Sequence, residues 1–189
     1  RGIRAMDLLI SETAARRLGA RLQGCIPALG LLQLDRNGQV RVDGRECTES
    51  RVRPDLAWLS LDVFAEAQLA RFIGLVERSA TLRWLHTVHA GLDLPFYPAL
   101  LARRVRLSNS HVHAPAIAEY VLGQVLAILQ SHERFRQSQM ERRWQPRGFR
   151  EIDRSRWLIV GLGHVGNEVA RRAAALGARV VGVRRRPAP

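Results

Sequence analysis

The stretch LIVGLGHVGNEVA, from Leu158 to Ala170, decides the fold of the C-terminal part of the chain. The apolar run Trp157–Val160 that leads into it is typical of a parallel strand buried on both faces. Gly161, Gly163 and Gly166 follow in G-x-G-x-x-G spacing, which marks a tight turn from a strand into a helix.

The pattern beyond these glycines completes the unit. A helix is predicted from near His164, with Val165 and Val169 on its buried face. It should end at Gly177, because glycine readily adopts the left-handed conformation of a helix C-cap. Arg179–Val183 predicts a second strand. A lone G-x-G-x-x-G is weak evidence, but this strand–turn–helix–strand context favours dinucleotide binding.

The spacing of the glycines has a chemical reason. Gly161 permits the tight turn, Gly163 lets the backbone approach a pyrophosphate, and Gly166 lets helix and strand pack closely. Free N–H groups at the helix start, where His164 and Val165 lie, point toward the phosphates. The alternative is a close-packed turn that binds no nucleotide.

Three arginines stand where the fingerprint expects an acidic residue to hold a ribose hydroxyl, about 20 residues beyond the glycines. They are Arg184, Arg185 and Arg186. A guanidinium can bind a 2′-phosphate, which a carboxylate would repel. We therefore predict a preference for NADP(H), with NAD(H) possible, and Arg184 and Arg185 as cofactor-binding residues. The alternative is that the arginine bias of the chain filled an exposed strand end.

The first part of the chain alternates short apolar runs with helical patterns, which indicates βαβ units on a parallel sheet. Strands are predicted at Met6–Ser11, Asp55–Leu61, Thr81–Val88 and Val105–Ser110. Helices are predicted after a cap at Ser11 or Thr13, around Ala67 to Val76, and at Pro95–Ala102. Asn37-Gly38 predicts a two-residue hairpin turn with positive φ.

A long helix is predicted from Pro115 to His132, with proline in its first turn, where a missing N–H is harmless. It is apolar nearly all round, so both faces should be covered. The charged segment Glu133–Arg156 has little periodicity and is predicted to be an extended arm or linker.

The composition of the chain mainly argues against several classes of function. The formal net charge is +13, yet all 30 basic residues are arginine and are scattered without interleaved aromatics, so nucleic-acid binding is the least favoured alternative. The sequence has neither an apolar run long enough to span a bilayer nor an N-terminal secretion-signal pattern. This predicts a cytoplasmic protein without a membrane partner. Cys25 and Cys47 should be free thiols. His111 and His113 match no zinc signature, so no metal is expected and loop or interdomain packing is favoured.

Several segments together resemble the D-isomer-specific 2-hydroxyacid dehydrogenases. They are WLHTVHAGLD, SNSHVHAPAIAEYVLGQVL, the charged arm and LIVGLGHVGNEVARRAAALGARVVGVRR. The similarity extends from about Asp55 to Pro189. It implies a flavodoxin-like substrate domain (residues 1–108) and, over residues 109–189, a connecting helix, a dimerisation arm and the start of a Rossmann domain.

The resemblance also implies roles for individual residues. The loop matching HAGLD holds a substrate carboxylate with backbone amides, so Ala90, Gly91 and Leu92 are candidate substrate-binding residues; His89 departs from the small residue common there. Without the resemblance, Gly91 would be read as a turn requiring positive φ. The helix Pro115–His132 and the arm Glu133–Arg156 would form a homodimer interface, with Trp144 and Phe149 as anchors.

The family's catalytic arginine, glutamate and histidine lie beyond the second Rossmann strand, so no catalytic residue is predicted within these 189 residues. We expect the N-terminal portion of a longer NAD(P)-dependent dehydrogenase, inactive alone, that acts on a small 2-keto or 2-hydroxy acid similar to glyoxylate or hydroxypyruvate. A non-catalytic dinucleotide-sensing or corepressor-like protein on the same fold is the main alternative.

Overall fold

Leu8, Leu9 and Ile10 in the first strand are all buried in the computed structural model, which describes residues 6–185. Leu9 contributes to one hydrophobic cluster, and Leu8 and Ile10 contribute to a second. Successive side chains of a strand point to opposite faces, so this first strand is covered on both sides. The chain divides after Ser110 into an N-terminal unit and a C-terminal unit.

The N-terminal unit is an α/β fold. Its elements, in chain order, are β1 (Met6–Ser11), α1 (Glu12–Cys25), β2 (Leu29–Leu34), β3 (Val40–Val42), β4 (Arg45–Glu46), a 3-10 turn (Glu49–Arg51), β5 (Leu56–Leu59), α2 (Leu61–Ala65), α3 (Leu69–Arg78), β6 (Trp84–Thr87), α4 (Phe96–Ala102) and β7 (Arg106–Asn109). Ser11 caps α1, as predicted, because its Oγ accepts a hydrogen bond of 3.0 Å from the Ala14 amide.

The seven strands form one mostly parallel sheet in the order β4-β3-β2-β1-β5-β6-β7. Strands β2, β1, β5, β6 and β7 run parallel, and β3 and β4 are antiparallel additions at one edge. The parallel strands have the flavodoxin-like order. Helix α1 packs on one face, and α2, α3 and α4 bury their apolar sides on the other. The predicted α/β fold class is confirmed.

Two local predictions in this unit are wrong. The hairpin between β2 and β3 is not a two-residue turn, because the Asp35 amide donates to the Gln39 carbonyl and only Gly38 has positive φ. Asp35 Oδ1 accepts from the amides of Asn37 and Gln39 at 2.9 Å, which stabilises the longer loop.

The helix predicted around Ala67 to Val76 is interrupted. Ala67 adopts a left-handed φ of 56°, and the amides of Ala67 and Gln68 donate to the carbonyls of Phe64 and Val63. These bonds are those of a Schellman motif, so α2 ends there and α3 begins at Leu69.

The C-terminal unit contains three helices and two parallel strands among its described residues. They are α5 (Ala114–Leu129), α6 (His132–Met140), β8 (Arg156–Val160), α7 (His164–Ala175) and β9 (Arg179–Val183). Helices α5 and α7 pack together, and a small core gathers around Leu122, Ile152 and Ala173. The predicted left-handed end of α7 at Gly177 is confirmed, since Gly177 has φ 85° and follows the C-cap residue Leu176.

Four predictions for this unit need correction. The helix predicted to His132 ends at Leu129, because Ser131 is left-handed, and the arm is helical as far as Met140. One side of α5 stays exposed within the described residues, including Tyr120 at 67%. Strand β8 is covered on one face only, since Val160 is 80% exposed: the described helices lie against just one face of this two-stranded sheet.

Candidate nucleotide and carboxylate sites

The turn between β8 and α7 is built around its three glycines. Gly161 has a left-handed φ of 101°, and its amide donates a 2.7 Å hydrogen bond to the Val183 carbonyl of β9. A Cβ at Gly166 would lie 1.9 Å from the carbonyl oxygen of Gly161, so only glycine lets the helix approach the turn this closely. A Cβ at Gly163 would meet no atom within 4 Å, so the backbone there borders open space.

The first turn of α7 presents unpaired amides beside that space. The first amide to bond inside the helix belongs to Asn167, which donates to the Gly163 carbonyl at 2.9 Å. The N–H groups of His164, Val165 and Gly166 have no acceptor among the described residues. Aligned peptide dipoles add partial positive charge at this end, so an anion would be stabilised here.

Arg184 and Arg185 come directly after β9 at the same edge of the sheet. The parallel register pairs Val160 with Val183, which places both arginines level with the glycine turn. Both are exposed, and within residues 6–185 neither guanidinium makes an ion pair or hydrogen bond. Arg186, the third arginine of the run, lies outside the described residues.

Two features of the turn were not predicted from the sequence. A Cβ at Gly182 in β9 would lie 2.3 Å from Leu162 Cδ1, so this glycine makes room for the Leu162 side chain. An isolated glycine inside a strand pattern is the signal that could have indicated such a close approach. The His164 ring also stacks on His111, with ring centroids 3.5 Å apart and planes at 16°.

The stacked rings border a cleft of about 460 Å³ in the C-terminal unit. Its lining includes Pro115 and Glu168, and hydrogen bonds from Arg171 and then Arg172 hold the pKa of the Glu168 carboxyl below its usual value. His113 is exposed at the start of α5. Among the residues that the structure describes, no three His, Cys, Asp or Glu side chains come together as a metal site.

In the N-terminal unit, the predicted carboxylate loop follows β6. The Val88 amide donates to the Leu59 carbonyl at 3.2 Å, and the His89 amide to Thr87 Oγ1 at 3.3 Å. Asn109 Nδ2, at the end of β7, donates to the Ala90 carbonyl at 2.5 Å. The His89 ring lies 4.6 Å from that of Phe64, between centroids. The loop therefore has several anchors.

The amides of the three predicted residues in this loop are free. Ala90, Gly91 and Leu92 are exposed, and their N–H groups donate to no acceptor within residues 6–185. Gly91 does not have positive φ, so the alternative reading of its role is wrong. It leaves room for a neighbouring carboxylate instead, because a Cβ there would lie 2.2 Å from Asp93 Oδ1.

Buried polar groups support the base of the loop. Thr87 is fully buried, and its Oγ1 accepts a hydrogen bond of 3.0 Å from the Tyr97 hydroxyl. Burial raises the pKa of Tyr97, which keeps the phenol protonated as a donor. His86, on the other face of β6, has its pKa lowered by burial and lies 2.9 Å from Ser108 Oγ.

Known structures share this fold over nearly the whole chain. A D-isomer specific 2-hydroxyacid dehydrogenase family protein from Aeromonas salmonicida is 24% identical, with a TM-score of 0.66 over 96% of this chain and 54% of its own. A D-lactate dehydrogenase from Treponema pallidum is 21% identical, with a TM-score of 0.66 over 97% and 55%. A D-isomer specific 2-hydroxyacid dehydrogenase from Xanthobacter autotrophicus, solved with NADPH and MES, is 22% identical, with a TM-score of 0.62 over 98% and 55%.

The fold and the glycine turn define the class of protein: a flavodoxin-like α/β unit together with a strand–turn–helix–strand unit of the Rossmann type. Residues 122–189 match the family model of the D-isomer specific 2-hydroxyacid dehydrogenase NAD binding domain. The resemblance that the motifs predicted is therefore confirmed. The chain spans about half the length of the solved structures that it matches.

Proposed function

We propose that this chain is part of an NAD(P)-dependent D-2-hydroxyacid dehydrogenase that reduces a small 2-keto acid, such as glyoxylate or hydroxypyruvate, or oxidises the corresponding D-2-hydroxy acid. The observation that carries the proposal is the turn at Gly161–Gly166, where free amides at the start of α7 border open space beside Gly163. A dinucleotide pyrophosphate is the anion that this arrangement binds in Rossmann folds.

NADP(H) is the proposed cofactor, with NAD(H) as the weaker one. Arg184 and Arg185 support this choice, because both are exposed and unpaired within the described residues at the strand end where an adenosine ribose binds. A guanidinium there would bind the 2′-phosphate with two hydrogen bonds.

The substrate carboxylate is assigned to the loop after β6. Three exposed amides, those of Ala90, Gly91 and Leu92, can each donate to a carboxylate oxygen. When bound, the nicotinamide supplies hydride chemistry at the carbonyl carbon. The residues of this chain bind and orient the two reactants, and the resemblance implies that the proton donor lies beyond residue 189.

We further propose the domain boundary after residue 108 and a twofold dimer built on the segments Pro115–His132 and Glu133–Arg156. Trp144 is 93% exposed and Phe149 is 58% exposed, and aromatic side chains in a charged segment gain most by burial against a partner. Among residues 6–185, no helix is long and apolar enough to cross a membrane. A cytoplasmic location is also part of the proposal.

The test is to assay the full-length protein that contains this chain. NADPH oxidation with glyoxylate or hydroxypyruvate is followed at 340 nm, and NADPH and NADH binding is measured separately by fluorescence. The proposal expects binding and turnover. Binding without turnover of any 2-keto acid would favour a non-catalytic dinucleotide-sensing protein instead, and the absence of both would refute the nucleotide site.

A further inference from the structure

We infer that Asn109 is a positioning residue for the carboxylate loop: its side-chain amide holds the Ala90 carbonyl and thereby orients the Gly91 N–H toward the substrate. The inference rests on the proposed function of the loop. It adds a residue that neither the motif nor its spacing had indicated.

The geometry of one peptide group carries the argument. Asn109 Nδ2 donates to the Ala90 carbonyl oxygen at 2.5 Å. Because a trans peptide is planar, the carbonyl of Ala90 and the N–H of Gly91 point in opposite directions. Fixing the carbonyl against β7 therefore turns the N–H away from the sheet, where it has no acceptor among the described residues.

The position of Asn109 makes it suitable for this role. It is the last residue of β7 and pairs in register with Thr87, the last residue of β6, so it stands on a rigid element beside the start of the loop. Thr87 itself is tied to Tyr97 and to the His89 amide. Downstream of His89, the Asn109 side chain hydrogen-bonds the loop backbone at the Ala90 carbonyl.

Preorganisation matters here because the loop has to hold three donors in one direction. Gly91 has no side chain to restrict its peptide, and Asp93 places a carboxylate near the same backbone, as its contact with the Gly91 position shows. Without Asn109, the Ala90–Gly91 peptide can rotate, so its carbonyl oxygen would face the substrate anion and repel it.

The variant Asn109→Asp tests the inference, because the side chain keeps its shape but a carboxylate cannot donate to the Ala90 carbonyl. In the full-length protein we expect KM for glyoxylate to rise about 10- to 100-fold, while kcat and the Kd for NADPH stay within about twofold. Binding of oxalate, a carboxylate that cannot be reduced, should weaken by a similar factor in calorimetry.

Two further variants keep the result interpretable. Asn109→Ser retains a polar group that is too short to reach Ala90 and avoids a new charge, so it should raise KM as well. Asn37→Asp makes the same charge change in the exposed hairpin turn and should behave as wild type.

The possible outcomes are distinct. A wild-type protein that neither binds oxalate nor reduces a keto acid refutes the proposed function itself. An active wild type with unchanged KM and oxalate affinity in both Asn109 variants refutes the positioning role. Equal losses in cofactor binding, kcat and melting temperature would also overturn it, because they would show a general structural role.

Discussion

A side chain added at Gly163 should separate nucleotide binding from folding. The Cβ of Gly163→Val would meet no atom within 4 Å, and the backbone φ of −84° suits an L-residue. The free energy of unfolding should therefore fall by less than about 1 kcal/mol, mainly from the poorer N-cap. The valine fills the space where the backbone would approach a pyrophosphate, and losing one charge-assisted hydrogen bond raises the Kd for NADPH about 10- to 100-fold.

Gly166→Ala should instead lower the stability of the fold. Its Cβ would lie 1.9 Å from the Gly161 carbonyl oxygen, so the helix has to move by more than an ångström. Overpacking of this kind costs about 1–3 kcal/mol, and the better helix propensity of alanine offsets about 1 kcal/mol of it. A net loss of up to about 2 kcal/mol corresponds to a fall in melting temperature of roughly 4–8 °C.

The assay combines thermal unfolding with fluorescence titration of NADPH on the full-length protein. Gly24→Val is the matched control, because a Cβ there also meets no atom and the position lies in the exposed last turn of α1, away from the glycine turn. If Gly163→Val binds NADPH as tightly as wild type, the assignment of the nucleotide site is wrong. If Gly166→Ala melts with wild type, the close helix approach is not a packing constraint.

Three other predictions concern the cofactor preference, the dimer and the dependence of stability on pH. Arg184→Asp should lower kcat/KM with NADPH relative to NADH at least about tenfold, because the aspartate repels a 2′-phosphate and accepts from a ribose hydroxyl; a wild type that prefers NADH would contradict this. The full-length protein should sediment as a dimer at micromolar concentration, and Trp144→Ala should shift it toward monomer; a monomeric wild type would refute the dimer. Burial lowers the pKa of His86, so the unfolded state binds a proton at this residue more readily than the folded state does. The contribution of His86 to the free energy of unfolding is therefore fully present above about pH 6.5 and is lost as the pH falls. In urea titrations, the free energy of unfolding should therefore fall more for wild type than for His86→Gln between about pH 7.5 and about pH 5.5. An equal fall in the two proteins would exclude this contribution of His86.

Much of the fold could be predicted from local pattern. The strand Met6–Ser11, the cap at Ser11, the helix stop at Gly177 and the strand Arg179–Val183 all appear as predicted. Each depends on the periodicity of apolar residues or on the chemistry of one side chain beside its own backbone. Such information lies within a few neighbouring residues, so it can be read directly.

Predictions that depended on a neighbour distant in sequence were less successful. Strand β8 is covered on one face only, because the described helices lie against just one side of its sheet. This outcome does not follow from local propensity, because burial is decided by which elements pack together rather than by the strand itself.

The sequence by itself determined the glycine turn and the arginines that follow β9, since each is defined by residue type and spacing. Only the tertiary structure decided that His111 stacks on His164 and that Asn109 reaches Ala90. The physical reason is that these contacts join atoms from different strands and helices. Their distances are set by the register and packing of whole elements, which spacing along the chain does not encode.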